Sequence, residues 1–270
     1  MLLPLPRVYL RLLRCAFQRR AAYRLANLTG ITVNFFFFLV HAQVFLAFFG
    51  GGREVAGWSG REAVLYFATS EALLMALGAM NQSPAVQLAD RIRSGDVACD
   101  LTKPLALWRS YVAAGYGDAA YYLLARAVIL YGAATSWYGL WPPLAPELLA
   151  LPLSLAMAIG ISAQLSYLAA ATAYWIEHAR GPIRVHLVSC FLFGGVVVPL
   201  DFYPDAFRSV CELLPYSGMI YTPIALASGK LTGVALTGAL VHQGLWVGAL
   251  GFVCGAVEER GTRRLAVLGG

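Results

Sequence analysis

Charge is scarce in this chain. Asp, Glu, Lys and Arg make up 13% of its 270 residues, against 59% hydrophobic residues. With a mean hydropathy of +0.66, that balance excludes an ordinary soluble domain, which needs more polar surface. Cysteine supplies no framework either. Cys15, Cys99, Cys190, Cys211 and Cys254 are an odd, scattered set with no CxxC pair, which argues for small apolar fillers over disulfides or a zinc site. The Gly-rich phosphate loop GxxxxGK[ST] is absent: Ser228-Gly229-Lys230 runs into Leu231 and lacks the earlier glycine. His41, His178, His186 and His242 are dispersed. His41 and His242 fall inside apolar runs with no Cys, Asp or Glu at ligand spacing, so no metal site and no hydrolytic constellation is predicted. The amino terminus does not read as a cleavable signal, because a long basic arm precedes a first apolar run about twice the usual length of a signal core.

What is present is a series of long apolar runs. Six transmembrane spans are predicted: Leu28 to Phe49, Ala63 to Gln82, Trp108 to Trp137, Leu148 to Ile176, Ile183 to Phe202 and Gly233 to Ala256. Each holds enough residues to cross ~30 Å at 1.5 Å per residue. The expected fold is therefore all-α and integral to the membrane. The formal charge of +6 sits in the connections between runs, where lipid headgroups explain it and nucleic acid is not needed. Fifteen Lys and Arg flank one side of the predicted spans and four the other, with Arg126 left inside a span. That bias predicts a multi-pass protein of the cell membrane with both termini cytoplasmic.

Residues 1–27 read as an amphipathic helix on the inner surface. Leu10, Leu13, Phe17 and Ala21 recur on one face, Arg7, Arg11, Arg14 and Gln18 on another, and Pro6 suits a first turn. Residues 28–256 would form the transmembrane domain and 257–270 a cytoplasmic tail. Glu71 and Arg126 lie within spans, at estimated depths of ~13 Å and ~17 Å from the outer side. Buried charges need partners, so the matched depths predict an ion pair between the second and third spans; the alternative places Glu71 on a path for a cationic substrate. Asp118 is expected near the inner boundary, hydrated. Tyr66, Tyr111, Tyr121, Tyr122, Tyr131, Trp137 and Trp141 read mostly as interface belt or helix packing.

The loop 84–104, PAVQLADRIRSGDVACDLTKP, is the most informative stretch. Pro84 can open a helix and Gly95 can close it with a left-handed cap. Val86, Ala89 and Ile92 share one side of that helix, and Asp90, Arg91 and Arg93 carry charge. A short helix held between two spans suits either a groove on a cytoplasmic partner or a connector on headgroups. At the other end, residues 199–223 hold Pro199, Pro204, Pro215 and Pro223, with Asp205 a candidate N-cap ahead of Phe207, Val210 and Leu214. That pattern predicts a short helix dipping into the outer leaflet and buried against protein.

The run SGDVACDLTKPL before the third span resembles the corresponding loop of ABC-2 type permeases, the membrane subunits of ABC exporters, and in particular their ABC-2 family transporter protein branch. Gly194-Gly195, VVVPLDFYP and LLPYSGMIYTP, with their proline punctuation, resemble that family's segment between the fifth and sixth spans. The resemblance covers nearly the whole chain. It implies that Val86, Leu88, Ala89, Asp90, Arg91, Ile92 and Arg93 belong to a coupling helix that meets an ATPase, with the amino-terminal helix beside it. It further implies that residues 199–223 form an outer gate. The partners implied are ATPase subunits on separate chains carrying ATP and Mg, a second permease chain (a sister rather than an identical copy), and lipid. No cofactor is expected on this chain, and no enzymatic activity of its own. The implied activity is export of an amphipathic or hydrophobic small molecule. A secondary transporter or channel is the alternative; it would need several intramembrane acids or broken helices at the midplane, and only Glu71 qualifies.

Overall fold

The computed structural model describes residues 5–22, 24–50, 54–78, 80–139 and 145–268. Among them the regular structure is helical, apart from one isolated bridge between Val55 and Trp58. The helices are α1 Leu5–Ala21, α2 Arg24–Phe48, α3 Gly60–Leu74, α4 Ser83–Ser94, α5 Ala98–Leu101, α6 Leu107–Tyr122, α7 Val128–Tyr138, α8 Leu151–Ala171, α9 Arg180–Phe193, α10 Asp205–Leu213, α11 Thr222–Ala227 and α12 Gly233–Leu268. A π-helical stretch, Leu123–Ala127, joins α6 to α7, and a second, Ser217–Tyr221, runs into α11. Trp141, singled out in the sequence, lies outside the described residues.

Three segments are long and apolar enough to cross a membrane by length and composition: Asn27–Phe48, Pro146–Tyr174 and Gly233–Leu265. Much of their surface is bare apolar side chain, with Val44, Leu245, Phe252 and Val234 at 60%, 69%, 80% and 90% exposure. A surface of that kind requires lipid or a partner, since monomeric soluble proteins keep such patches small.

Two predicted spans are shorter than the hydropathy implies. The second ends as helix at Leu74, not Gln82, and turns through Gly78 before Pro84 restarts the chain in α4. Its 15 residues reach only ~22 Å at the α-helical rise. The fifth begins at Arg180 and ends at Phe193 instead of Phe202. Gly195 there adopts φ of +69°, and a Cβ at that site would press on Leu200 and the Tyr66 hydroxyl at 3.2 Å. Only glycine reverses the chain at that point without strain. α12 continues through residues 257–268 of the expected tail, with the Glu259–Arg263 ion pair one turn apart.

The core has two principal parts. One gathers Tyr66, Leu77, Ile161, Met219, Ile220 and Ile224 from α3, the turn after it, α8 and the segment before α12. The other gathers Leu88, Ile92, Tyr167, Tyr174, Ile183 and Cys254, and so seats α4 on α8 and α9, with α12 joining the same cluster through Cys254.

Candidate functional site

The α4 hairpin is built by its own punctuation. Pro84 sits in the first turn, Gly95 caps the end at φ +84°, and its N–H reaches the Ile92 carbonyl. The chain then folds back: Val97 N–H donates to the Arg91 carbonyl at 3.1 Å, and Asp100 takes Arg91 at 2.5 Å and Lys103 at 2.7 Å. Of the seven coupling residues predicted, Leu88, Ala89 and Ile92 are buried in the chain's own core, and Val86 is half-buried against it. Asp90, Arg91 and Arg93 face outward with Gln87. The apolar stripe of this helix is therefore an anchor, and the face left for any partner is polar and charged.

Beside it, α1 lies along α6. Gly117 of α6 makes this possible, because a Cβ there would run into the Leu13 carbonyl oxygen and sit 2.9 Å from the Ala16 Cβ. Phe17 meets Tyr121 edge to face at 5.6 Å. Arg7, Arg11 and Arg14 are exposed, as the helical wheel predicts, although Leu10 from the predicted apolar face is also 68% exposed.

Asp118 departs from expectation. It is largely buried, at 6% exposure, and it binds Arg20 at 2.9 Å and Arg19 at 3.4 Å. Burial works against the Arg20 charge, but the Asp118 carboxylate more than offsets this and holds its pKa above the ordinary value. Two arginines assigned to headgroups thus clamp α1 to α6.

Glu258, which sequence reasoning passed over, ties three elements at this same end. Its carboxylate accepts from the first two N–H groups of α6, Leu107 at 2.9 Å and Trp108 at 2.7 Å, and from the Tyr167 hydroxyl at 3.2 Å. Ala106 at the N-cap has no side chain for the task, so α12 supplies the cap and its negative charge.

Arg126 and Glu71 do not form the predicted ion pair. The Arg126 guanidinium packs against Gly30, donates to the Asn27 carbonyl at 3.4 Å and lies 5.3 Å over the Tyr122 ring. The titratable neighbour of Glu71 is His41, whose ring stacks on Phe67 at 4.5 Å.

The opposite end is organised around Asp201. It accepts from Trp58 Nε1 at 3.1 Å and from the Tyr221 hydroxyl at 2.7 Å, and pairs with Arg208 at 2.9 Å. Glu212, with Asp201, holds Arg208 above its ordinary pKa. Lys230 sits 4.9 Å over the Trp58 ring and pairs with Glu62 at 2.7 Å. Pro199 and Pro204 bracket the short turn that presents Asp201, while Pro215 and Pro223 lie buried in the segment that follows α10.

The N-cap of α10 is Pro204 and not Asp205, which begins the helix without a capping bond. α10 itself is exposed, with Val210 at 51% and Leu213 at 73%. The part buried against protein is Ser217–Ala227. Gln243 of α12 donates to its Gly218 carbonyl at 2.7 Å. In the separate irregular stretch after α9, Tyr66 and Ser70 donate to the carbonyls of Gly195 and Val196 at 2.6 and 2.8 Å. Asp201→Asn keeps the shape but removes the charge that three donors share. It is expected to cost about 2 kcal/mol, in the range for hydrogen bonds to charged groups. The check is the quench of Trp58 fluorescence, which should fall together with a lowered thermal midpoint; an unchanged midpoint would remove Asp201 from this role.

No curated protein matches the chain significantly. A profile of ABC-2 family transporter proteins matches residues 29–267, a range that takes in the α4 hairpin, the Asp201 centre and nearly all of the apolar helices after α1. An all-helical chain with bare apolar helices, carrying this profile over most of its length, belongs to the ABC-2 family of transporter proteins and is a membrane permease component of an ABC transporter.

Proposed function

We propose that this chain forms one half of the membrane path of an ATP-driven exporter. In this reading it crosses the cell membrane six times with both termini cytoplasmic. The short helices α3 and α9 cross with the help of the buried irregular segments that follow them. ATP and Mg are held by ATPase subunits on separate chains, and a second permease chain, a sister of this one, completes the path. The cargo is an amphipathic or hydrophobic small molecule moved outward as the membrane halves change between two states.

The observation that carries this reading is the α4 hairpin. It is locked to the core by its apolar side and by the Arg91–Asp100–Lys103 cluster, and it presents Gln87, Asp90 and Arg93 outward. A rigid, charged projection between two spans can transmit a push from a partner. α1 fits beside it as an interfacial helix, with Arg7, Arg11 and Arg14 turned toward anionic headgroups. The outer gate corresponds to the Asp201 centre with Pro199, Pro204, Pro215 and Pro223.

The test is recovery of partners in mild detergent. The native chain should bring down a P-loop ATPase and a second permease. Arg93→Glu should reduce ATPase recovery about tenfold or more, a loss of at least ~1.4 kcal/mol. Arg93 is preferred to Arg91, whose reversal would also break the hairpin at Asp100. A preparation that retains a control complex but brings down no ATPase overturns the reading.

A further inference from the structure

We propose that a half-open cavity between α1, α4, α6 and α8 binds an amphipathic molecule with an anionic head group. The cavity holds about 310 Å³, the lower end of the range for small-molecule sites. Its polar wall carries Arg19, Arg91 and Lys103. Each carboxylate in that wall is shared by two cations: Asp118 by Arg19 and Arg20, and Asp100 by Arg91 and Lys103. Each cluster therefore keeps a net positive charge and spare N–H donors, which is what an anionic head requires. The other wall is apolar, with Leu12, Met75 and Ile159, and suits a short hydrocarbon tail.

The backbone points the same way. α3 ends at Leu74, and the non-helical chain that follows contributes Met75, Gly78 and Asn81 to the wall. Irregular backbone within a membrane domain is tolerated where it is buried in protein or lines a polar cavity, and Ser162 Oγ satisfies the Leu77 carbonyl there. A bound head group would touch α1 through Arg19 and α4 through Arg91 at once. Occupancy would then stiffen the hairpin against its neighbour, a consequence that rests on the exporter reading, although the binding itself does not.

The experiment uses the full chain with its co-purified partners in phosphatidylcholine nanodiscs. It compares photoreactive dodecyl phosphate with photoreactive dodecyltrimethylammonium, which share a tail. The phosphate probe should label the chain saturably, with crosslinks near Leu12, Met75 and Ile159. Lys103→Gln, which weakens the head site, and Ala114→Phe, which fills the cavity from α6, should each cut labelling at least fivefold in protein that elutes as the native complex. If phosphatidylglycerol in the nanodisc suppresses labelling, the natural occupant is a membrane lipid. If only free dodecyl phosphate competes, it is a soluble amphiphile. Equal labelling by both probes, or labelling unaffected by both variants, overturns the site. Labelling lost while the ATPase still co-purifies overturns the site alone; specific labelling of a chain that never brings down an ATPase overturns the exporter reading alone.

Discussion

Gly117→Ala should detach α1 from the helical body. The new methyl group would meet a backbone carbonyl, that of Leu13, which cannot swing away as a flexible side chain could. Either the two helices separate or the overpacking is absorbed at about 1–3 kcal/mol. Separation carries a further penalty, because it breaks the contacts of Asp118 with Arg19 and Arg20. Hydrogen bonds to a charged group contribute about 1.5–3 kcal/mol.

The expected readout is tryptic cleavage at Arg7, Arg11, Arg14, Arg19 and Arg20. It should be slow in the native protein and at least about tenfold faster in the variant, the ratio that ~1.4 kcal/mol of opening produces. Gly132→Ala is the control, since nothing lies within 4 Å of the added carbon. It should leave cleavage unchanged and stabilise slightly, by up to about 1 kcal/mol of helix propensity. Equal cleavage in all three proteins would mean that α1 is held by something other than its contact with α6.

Glu258→Ala should loosen the end of the molecule where α6, α8 and α12 meet. Three donors lose one acceptor, and the two backbone N–H groups have no alternative side chain at Ala106. Each buried donor left unmet costs about 1–3 kcal/mol, so a total of about 3 kcal/mol or more is expected. Glu258→Gln retains one accepting oxygen and should fall between native and alanine.

The neighbouring Glu259 is the comparison. It pairs only one turn away with the exposed Arg263, a contact worth about 0.3–0.5 kcal/mol. Thermal unfolding in detergent should therefore drop markedly for Glu258→Ala and hardly at all for Glu259→Ala. Equal shifts would show that the carboxylate is not capping α6. The same loss should make the amide protons of Leu107 and Trp108 exchange faster, which a general loosening of α12 would not single out.

Several features were open to direct reading because they depend on neighbours a few residues away. The α4 helix follows from Pro84, a period of apolar residues and Gly95, and its cap forms as expected. The exposed row Arg7, Arg11 and Arg14 follows from helical spacing. The membrane character follows from composition, since no arrangement of so many apolar residues leaves a polar exterior. Hydropathy erred at Met75–Gln82 and Gly194–Phe202 for a physical reason: it measures the cost of meeting water, not the path of the backbone. The described residues of those segments are largely apolar, yet they are not continuous α-helix, because side chains of other elements take up their carbonyls: Ser162 that of Leu77, and Tyr66 and Ser70 those of Gly195 and Val196.

The sequence by itself determined the solvent this protein needs, the local helices and their punctuation, and the family resemblance that the profile match supports. Tertiary structure alone decided which charges meet. Asp118 lies 98 residues from Arg20, Glu258 about 150 from the α6 amides it caps, and Asp201 is 143 from Trp58. Matched depth suggested Glu71 for Arg126, but depth fixes one coordinate of three, and the rotation of its helix brings Arg126 to the Asn27 carbonyl of α2. The same rotation sends the apolar stripe of α4 inward and leaves its charges outside, so the surface available to a partner is set by packing against α8 and not by the composition of the loop.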